Sequence, residues 1–201
     1  MGLVELMIGM TIGLILLAAL GYFFLSSRQA SRTHDDISRM QESGRHALEI
    51  LGTAIRQAGY RGNADAPFSG TALAGTDGTP DTITVQFDAQ EGGETDCGGT
   101  NVAAGGLVTY AFDVSGDLQL TCNGQPVADN IEDMQIVYGV DANKDGVIES
   151  YQTADVVDFS TVAAVRVTLT VRGPTPNAAT GGDGFLRQTY TTTYTVRNQA
   201  G

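Results

Sequence analysis

The 201-residue sequence contains no tryptophan, five prolines, two cysteines and two histidines. It has no G-x-S-x-G, no P-loop, no H-E-x-x-H and no Cys-x-x-Cys. Nucleophilic, phosphate-cradling, zinc-dependent and dithiol chemistries therefore lack their usual carriers, and a non-enzymatic protein is expected. Basic residues are also scarce: eleven Lys and Arg stand against twenty-three Asp and Glu, for a formal charge of −12. A monomer so acidic offers no basic patch, so direct nucleic-acid binding is not expected of it. No internal repeat is visible.

What is present is organised by the first stretch, MGLVELMIGMTIGLILLAALGYFFL, residues 1–25. No charged residue falls between Leu6 and Leu25, and at 1.5 Å per residue such a helix covers about 30 Å, the hydrocarbon thickness of a bilayer. A secretory signal would begin with a basic region and end at a small-residue cleavage site. Neither is present, and the run reads as a retained, membrane-seated helix. Glu5 is the one charge in this stretch. An ionised acid there costs on the order of 3 kcal/mol on insertion scales unless it is paired or reaches the interface. The α-amino group of Met1 is the nearest cation in the chain.

From Ser26 to Gly59 the pattern stays helical but becomes one-sided. Ile37, Met40, Ala47, Leu48, Leu51, Ile55 and Ala58 recur three, four or seven apart, with charged and polar residues elsewhere. Such a half-buried helix is expected to lie across a β-sheet and to stop at Gly59. Together the two helical parts would run about 85 Å at 1.5 Å per residue. Three glycines, Gly9, Gly13 and Gly21, interrupt the apolar half, each costing about 1 kcal/mol of helix propensity relative to Ala. They permit close packing or local unwinding. His34 and His46 fall on the polar side. Glu42 and His46 are spaced to share a metal, but a solvated helix face is the favoured reading.

The remainder reads as a β domain. A Gly/Ala/Thr loop over 63–80 precedes strand-like alternation in 82–88, 107–114 and 117–122, with Ser115-Gly116 as a tight turn. Further strands are expected over 134–140, 163–172 and 187–197. In 163–172, Val165, Val167, Leu169 and Val171 alternate with Arg166, Thr168, Thr170 and Arg172, the signature of a sheet wet on one side. The fold class is thus α+β: residues 1–25 an apolar anchor, 26–59 its amphipathic continuation, and 60–201 a β domain with an antiparallel sheet packed on the C-terminal half of the helix. Cys97 and Cys122 favour a single disulfide in an exported chain, with two unpaired buried thiols as the alternative. The bridge would close a loop of about 26 residues, worth roughly 3 kcal/mol in the chain-entropy model.

The segment Asp141-Ala142-Asn143-Lys144-Asp145-Gly146-Val147-Ile148-Glu149 carries the densest oxygen chemistry. D-x-N-x-D-G resembles the first half of an EF-hand calcium loop: Asp141, Asn143 and Asp145 converge, Gly146 turns, Val147 offers a carbonyl and Glu149 a further ligand. The twelfth position holds Gln152 where a bidentate acid is expected, which leaves Asp155 or Asp158 to complete the shell. Strand-like flanks place the loop in a hairpin. A polar β-turn without a metal is the competing reading.

Residues 2–7, GLVELM, followed by the unbroken apolar run, resemble the mature N-terminus of type IV pilins and pseudopilins. The stretches SSRQASR, ESGRHALEILGTAIRQAGYRGN, IEDMQIVYGVDANKDG, VAAVRVTLTVR and TYTTTYTVRN, in that order, resemble the PilW-type pilins and cover most of the chain. The resemblance implies the type IV pilin fold and a leader removed by a prepilin peptidase, so that Met1 is the first, N-methylated residue. It also implies an assembly role for Met1 and Glu5. Met1 stands where Phe is usual, and Gly2 where Thr is frequent. The implied function is a structural subunit of a pilus-like filament, serving motility, adhesion or DNA uptake. The implied partners are copies of the chain or other pilins in a helical fibre, the inner membrane before assembly, and the pilus assembly machinery. A low-abundance minor pilin or pseudopilin priming assembly is the alternative within the class. A monomeric, membrane-anchored, calcium-dependent binding module is the alternative outside it. The resemblance also implies a segment of the apolar helix that is often melted in the fibre, here expected between Gly13 and Gly21. The implied location is a single pass in the inner membrane of a Gram-negative cell, then an extracellular pilus. Arg28, Arg32 and Arg39 would orient the chain oppositely under the positive-inside rule. A disulfide and a calcium site of millimolar affinity both belong outside, and that side is expected.

Overall fold

The computed structural model describes residues 2–62, 68–176 and 182–198, the side chain of Glu5 excepted. Helix α1 runs Leu3–Gln57. The chain divides into two compact units, Met1–Arg39 and Met40–Gly201, and the division falls within that helix. In the first unit the helix is continuous through Gly9, Gly13 and Gly21, so the stretch expected to melt within a fibre is helical in the single chain.

In the second unit, α1 ends where expected. Gly59 takes a positive φ of 69°, the left-handed C-terminal stop, and Tyr60 N donates to Gln57 O at 2.8 Å. Met40, Ala47, Leu51, Ile55 and Ala58 are buried; Ile37, at the head of the predicted stripe, is 36% exposed.

Among the described residues eleven strands follow: β1 Leu73–Thr76, β2 Thr82–Asp88, β3 Glu94–Thr95, β4 Asn101–Val102, β5 Leu107–Val114, β6 Gln119–Cys122, β7 Gln125–Asp129, β8 Ile131–Val140, β9 Ser150–Gln152, β10 Val162–Pro176 and β11 Phe185–Thr195. A short 3-10 helix at Phe159–Thr161 precedes β10. The bounds predicted for β2 and β5 match, whereas β8, β10 and β11 begin earlier than alternation indicated. The loop expected over 63–80 is a strand in part, β1, and its residues 63–67 lie outside the described residues. The turn after β5 is centred later than Ser115-Gly116: Leu118 N donates to Ser115 O at 3.0 Å, and Leu118 carries the positive φ.

The strands form two antiparallel sheets where one was expected, in the orders β1-β2-β5-β6-β7 and β11-β10-β8-β9, plus a β3-β4 ribbon. Alternation reports which face a residue occupies but not which neighbour its strand finds. In the four-stranded sheet, Val165, Val167 and Leu169 of β10 oppose Tyr138, Ile136 and Met134 of β8. On the other side, Val165 and Leu169 oppose Tyr194 and Tyr190 of β11. This inner face packs on α1, and the approach is close. A Cβ on Gly44 would lie 2.7 Å from the Tyr190 ring, and one on Gly52 2.3 Å from the Tyr194 ring. Tyr194 Oη donates to Leu48 O at 2.6 Å. The outer face is threonine-rich and closes with an ion cluster, in which Arg187 reaches both Glu132 and Asp183.

The two sheets are joined by a buried carboxylate. Asp81, just before β2, accepts from Gly78 N at 2.7 Å through Oδ1 and from Ile136 N at 2.6 Å through Oδ2. Its own N–H donates to Met134 O at 2.8 Å. Asp81 is 3% exposed, so water cannot replace these bonds. Removing the carboxylate strands two backbone donors, each worth about 1–3 kcal/mol when left unpaired. Asp81→Ala is expected to lower stability by about 2–4 kcal/mol, read as a drop in the urea midpoint of the full chain in detergent.

Candidate functional site

Three parts of the described molecule are candidate sites, and the first is the N-terminal half of α1. It is long and apolar enough to cross a membrane, and none of that apolar span is buried within the chain. Leu3, Leu14, Leu17, Tyr22 and Phe23 are all more than 60% exposed. A Cβ added to Gly9, Gly13 or Gly21 would meet nothing within 4 Å. The helix-propensity cost of these three glycines is therefore offset by no side-chain contact among the described residues. Met1 and the side chain of Glu5, the residues expected to act in assembly, lie outside the described residues.

The second part is the loop between β8 and β9. These strands pair antiparallel, Val140 with Ser150, so residues 141–149 close a hairpin, as the flanking pattern implied. Asp141 is 4% exposed, and its carboxylate accepts from Asp145 N at 3.1 Å and Gly146 N at 2.8 Å. Asn143 Oδ1 also accepts from Asp145 N, and Asp145 Oδ1 from Val147 N. Glu149 Oε2 reaches back to Ala142 N at 3.0 Å. The positive φ of Lys144 and Gly146 lets the chain wind around this centre. Ligand atoms of Asp141, Asp145 and Glu149 all lie within 4.8 Å of one another.

Asp155 and Asp158, the expected shell-completing acids, are engaged elsewhere. Asp155 takes a hydrogen bond from Thr153. Asp158 caps the 3-10 helix, and the Ser160 hydroxyl, followed by the Ser160 N–H, holds its carboxyl below the ordinary range. The residue at the twelfth position, Gln152, faces Tyr138 across the hairpin. The converging acids are therefore three, on one short loop. Glu42 and His46 are exposed on the helix. Neither belongs to a cluster of three metal-ligating groups among the described residues.

The third part is the ribbon β3-β4, which no periodicity announced. It is tied down by a disulfide between Cys97 and Cys122, with Cα atoms 5.8 Å apart, which anchors the Gly-rich segment to β6. Cys122 is fully buried and Cys97 packs against the core. Between this bridge and α1 lies a cleft of about 480 Å³.

Residues 114–198, from the end of β5 through β11, match the family model of type IV pilus-assembly protein W. The fold is similar to that of a type IV-like pilin from Thermus thermophilus, with a TM-score of 0.55 and 16% sequence identity over 84% of this chain and 97% of that one. No curated protein matches. The long N-terminal helix with antiparallel sheets on its C-terminal part is thus the type IV pilin fold.

The bridge carries a prediction. Protein isolated without reductant should yield a Cys97–Cys122 linked peptide on digestion and no alkylatable thiol. Reduction should speed amide hydrogen exchange in residues 91–106 far more than in residues 40–57, because the ribbon has few large apolar side chains of its own.

Proposed function

We propose that this chain, which has the type IV pilin fold and matches a pilus-assembly family over residues 114–198, is a structural subunit of a type IV pilus-like filament and polymerises through its N-terminal helix. The observation that carries this reading is the contrast between two sets of glycines on α1. Gly44 and Gly52 are explained by rings of the same chain, whereas Gly9, Gly13 and Gly21 face nothing. Gly9 and Gly13 stand four apart, the spacing that lets two apolar helices approach closely in or out of lipid. Lipid tails are as apolar as leucine, so exchanging lipid for a neighbouring helix brings little hydrophobic gain. Close packing and charge pairing must then supply the specificity. Before assembly the same helix holds the subunit in the inner membrane with its β domain outside. After assembly it lies in the fibre core, surrounded by acidic β domains.

A second reading is a low-abundance subunit that primes or caps the fibre, and the description of the matching family, a pilus-assembly protein, favours it. Under either reading the role is structural and needs no catalytic residue. Glu5 is assigned to docking, where it pairs with the Met1 amino group of its own or a neighbouring chain and so removes a charge that is costly in an apolar core.

The hairpin of residues 141–149 is assigned a calcium ion, held by Asp141, Asn143, Asp145, the carbonyl of Val147 and Glu149. Three carboxylates within 4.8 Å repel one another, and a divalent cation removes that repulsion. Without a bidentate twelfth ligand the affinity should fall near 10⁻⁴–10⁻³ M, a range filled outside the cell and left empty in the cytoplasm.

Electron microscopy of cells lacking the gene, with purified fibres assayed for this chain, tests the filament reading. Loss of fibres with the chain as bulk component supports the first reading, and trace abundance supports the second. Fibres that never contain it would overturn both. Glu5→Ala should reduce entry into fibres at unchanged membrane levels, and equal entry would refute the docking role. Calcium at ~5–10 mM, at and above the top of the expected range, should raise the melting temperature of the full chain by mass action. Asp145→Ala should abolish that rise and Lys144→Ala should not; absence of both binding heat and thermal shift would leave the loop a polar turn.

A further inference from the structure

The cleft between α1 and the disulfide-tied ribbon is lined by His46 and Glu49 of the helix, Glu94 of β3, Tyr110 and Phe112 of β5, and the disulfide itself. Its chemistry is uneven. Tyr110, Phe112 and Ile50 make it aromatic and apolar in part, and it carries two carboxylates, Glu49 from the helix and Glu94 from the ribbon. Tyr110 packs edge-on between Phe87 and Phe112, at 5.2 and 6.3 Å between ring centroids. Among the described residues no donor lies within hydrogen-bond reach of Glu94 Oε2, although that atom is buried. An acidic oxygen withdrawn from water without a donor is costly, and such groups call for a partner. The negative field is felt locally: the Tyr110 hydroxyl is pushed up, first by burial and then by the charges of Glu94 and Asp96. The ribbon is also held in place. Glu94 pairs with Val102 in the ribbon, and Cys97 three residues on is bonded to β6.

We propose that this cleft receives an arginine side chain from a neighbouring subunit, its guanidinium lying against Tyr110 and donating to Glu94 Oε2 and Glu49. The neighbouring-subunit source rests on the filament reading. Three observations select the occupant. A carboxylate needing a donor beside an aromatic face suits a planar cation that both stacks and forks, which is arginine more than lysine. The chain already lays arginine on rings within itself: guanidinium carbons stand 3.8 Å from the Tyr151 ring centroid for Arg166 and 4.1 Å from that of Phe185 for Arg172, and Arg172 also lies 3.6 Å from the Glu132 carboxylate. Lys144 is the single lysine among the eleven basic residues, so a copy of this chain presents arginine almost exclusively. Subunits carrying a net charge of −12 also need local attraction to pack side by side, and a cationic side chain entering an acidic cleft supplies it.

Two measurements test the proposal. In the first, the full chain in detergent is titrated with N-acetyl-arginine amide and followed by NMR. Saturable shifts should appear at Tyr110 and Thr53, at least fivefold weaker in affinity in Glu94→Gln and in Glu49→Gln, each shown by melting to be folded. N-acetyl-glutamine amide should give none. Equal responses to the glutamine compound, or indifference to both substitutions, would overturn the assignment. In the second, a photo-crosslinking residue replaces Thr53 in fibres grown in cells. Mass spectrometry should recover an arginine-containing peptide of another subunit, and the yield should fall at least threefold in Glu94→Gln. Crosslinks only to arginine-free segments, with the chain present in the fibre, would overturn the cleft proposal while leaving the filament reading intact. Absence of the chain from fibres, read from the same gel, would overturn the filament reading and with it the neighbouring-subunit source.

Discussion

The closeness of α1 to the inner face of the four-stranded sheet is the constraint on which the Met40–Gly201 unit depends. A helix can sit so near two tyrosine rings only where its own side chains vanish, and Gly44 and Gly52 lie under Tyr190 and Tyr194. Glycine inside a helix costs about 1 kcal/mol relative to alanine. Here that cost is offset by what the approach permits: buried contact for Ala47, Leu51 and Ile55, and a hydrogen bond from Tyr194 to the Leu48 carbonyl.

The other elements extend from this joint. β10 lies inside its sheet, with Val165, Val167, Leu169 and Val171 all buried and β8 and β11 on either side. Asp81 then ties the start of β2 to β8, so the five-stranded sheet cannot slide relative to the four-stranded one without breaking bonds that water cannot replace. The hairpin of residues 141–149 emerges from the end of β8, which is why Asp141 is buried while Asp145 and Glu149 are exposed. The disulfide performs for the Gly-rich ribbon what apolar packing performs elsewhere.

The N-terminal half of α1 obeys a different logic. Its apolar residues are exposed and its glycines unopposed, so no contact among the described residues accounts for its composition. A soluble protein would bury such a surface or not possess it. The proposed filament role would use both features: the apolar surface for lipid, and the small residues for close approach between helices.

Patterns that depend on near neighbours are legible in the order of the amino acids. The membrane-length helix, the amphipathic stripe to Ala58, the Gly59 stop, the bounds of β2 and β5, and the gathering of Asp141, Asn143, Asp145 and Glu149 on one loop follow from periods of 3.6 and 2 and from turn chemistry, which act over a few residues. Where distant segments have to meet, the sequence is silent. Alternation marks the strands but not their division into two sheets. The strand β1 lies hidden in a Gly/Ala/Thr stretch, and Asp155 and Asp158 are drawn to their own turns and away from the acidic loop. Glu94 stands out in no motif, because only the fold of a disulfide-tied ribbon toward α1 brings it beside Tyr110. The sequence by itself thus determined the elements and the chemistry of each loop, through local sterics and the burial of one face. Tertiary structure alone decided which faces meet, because strand pairing and side-chain burial depend on contacts between residues far apart in the chain.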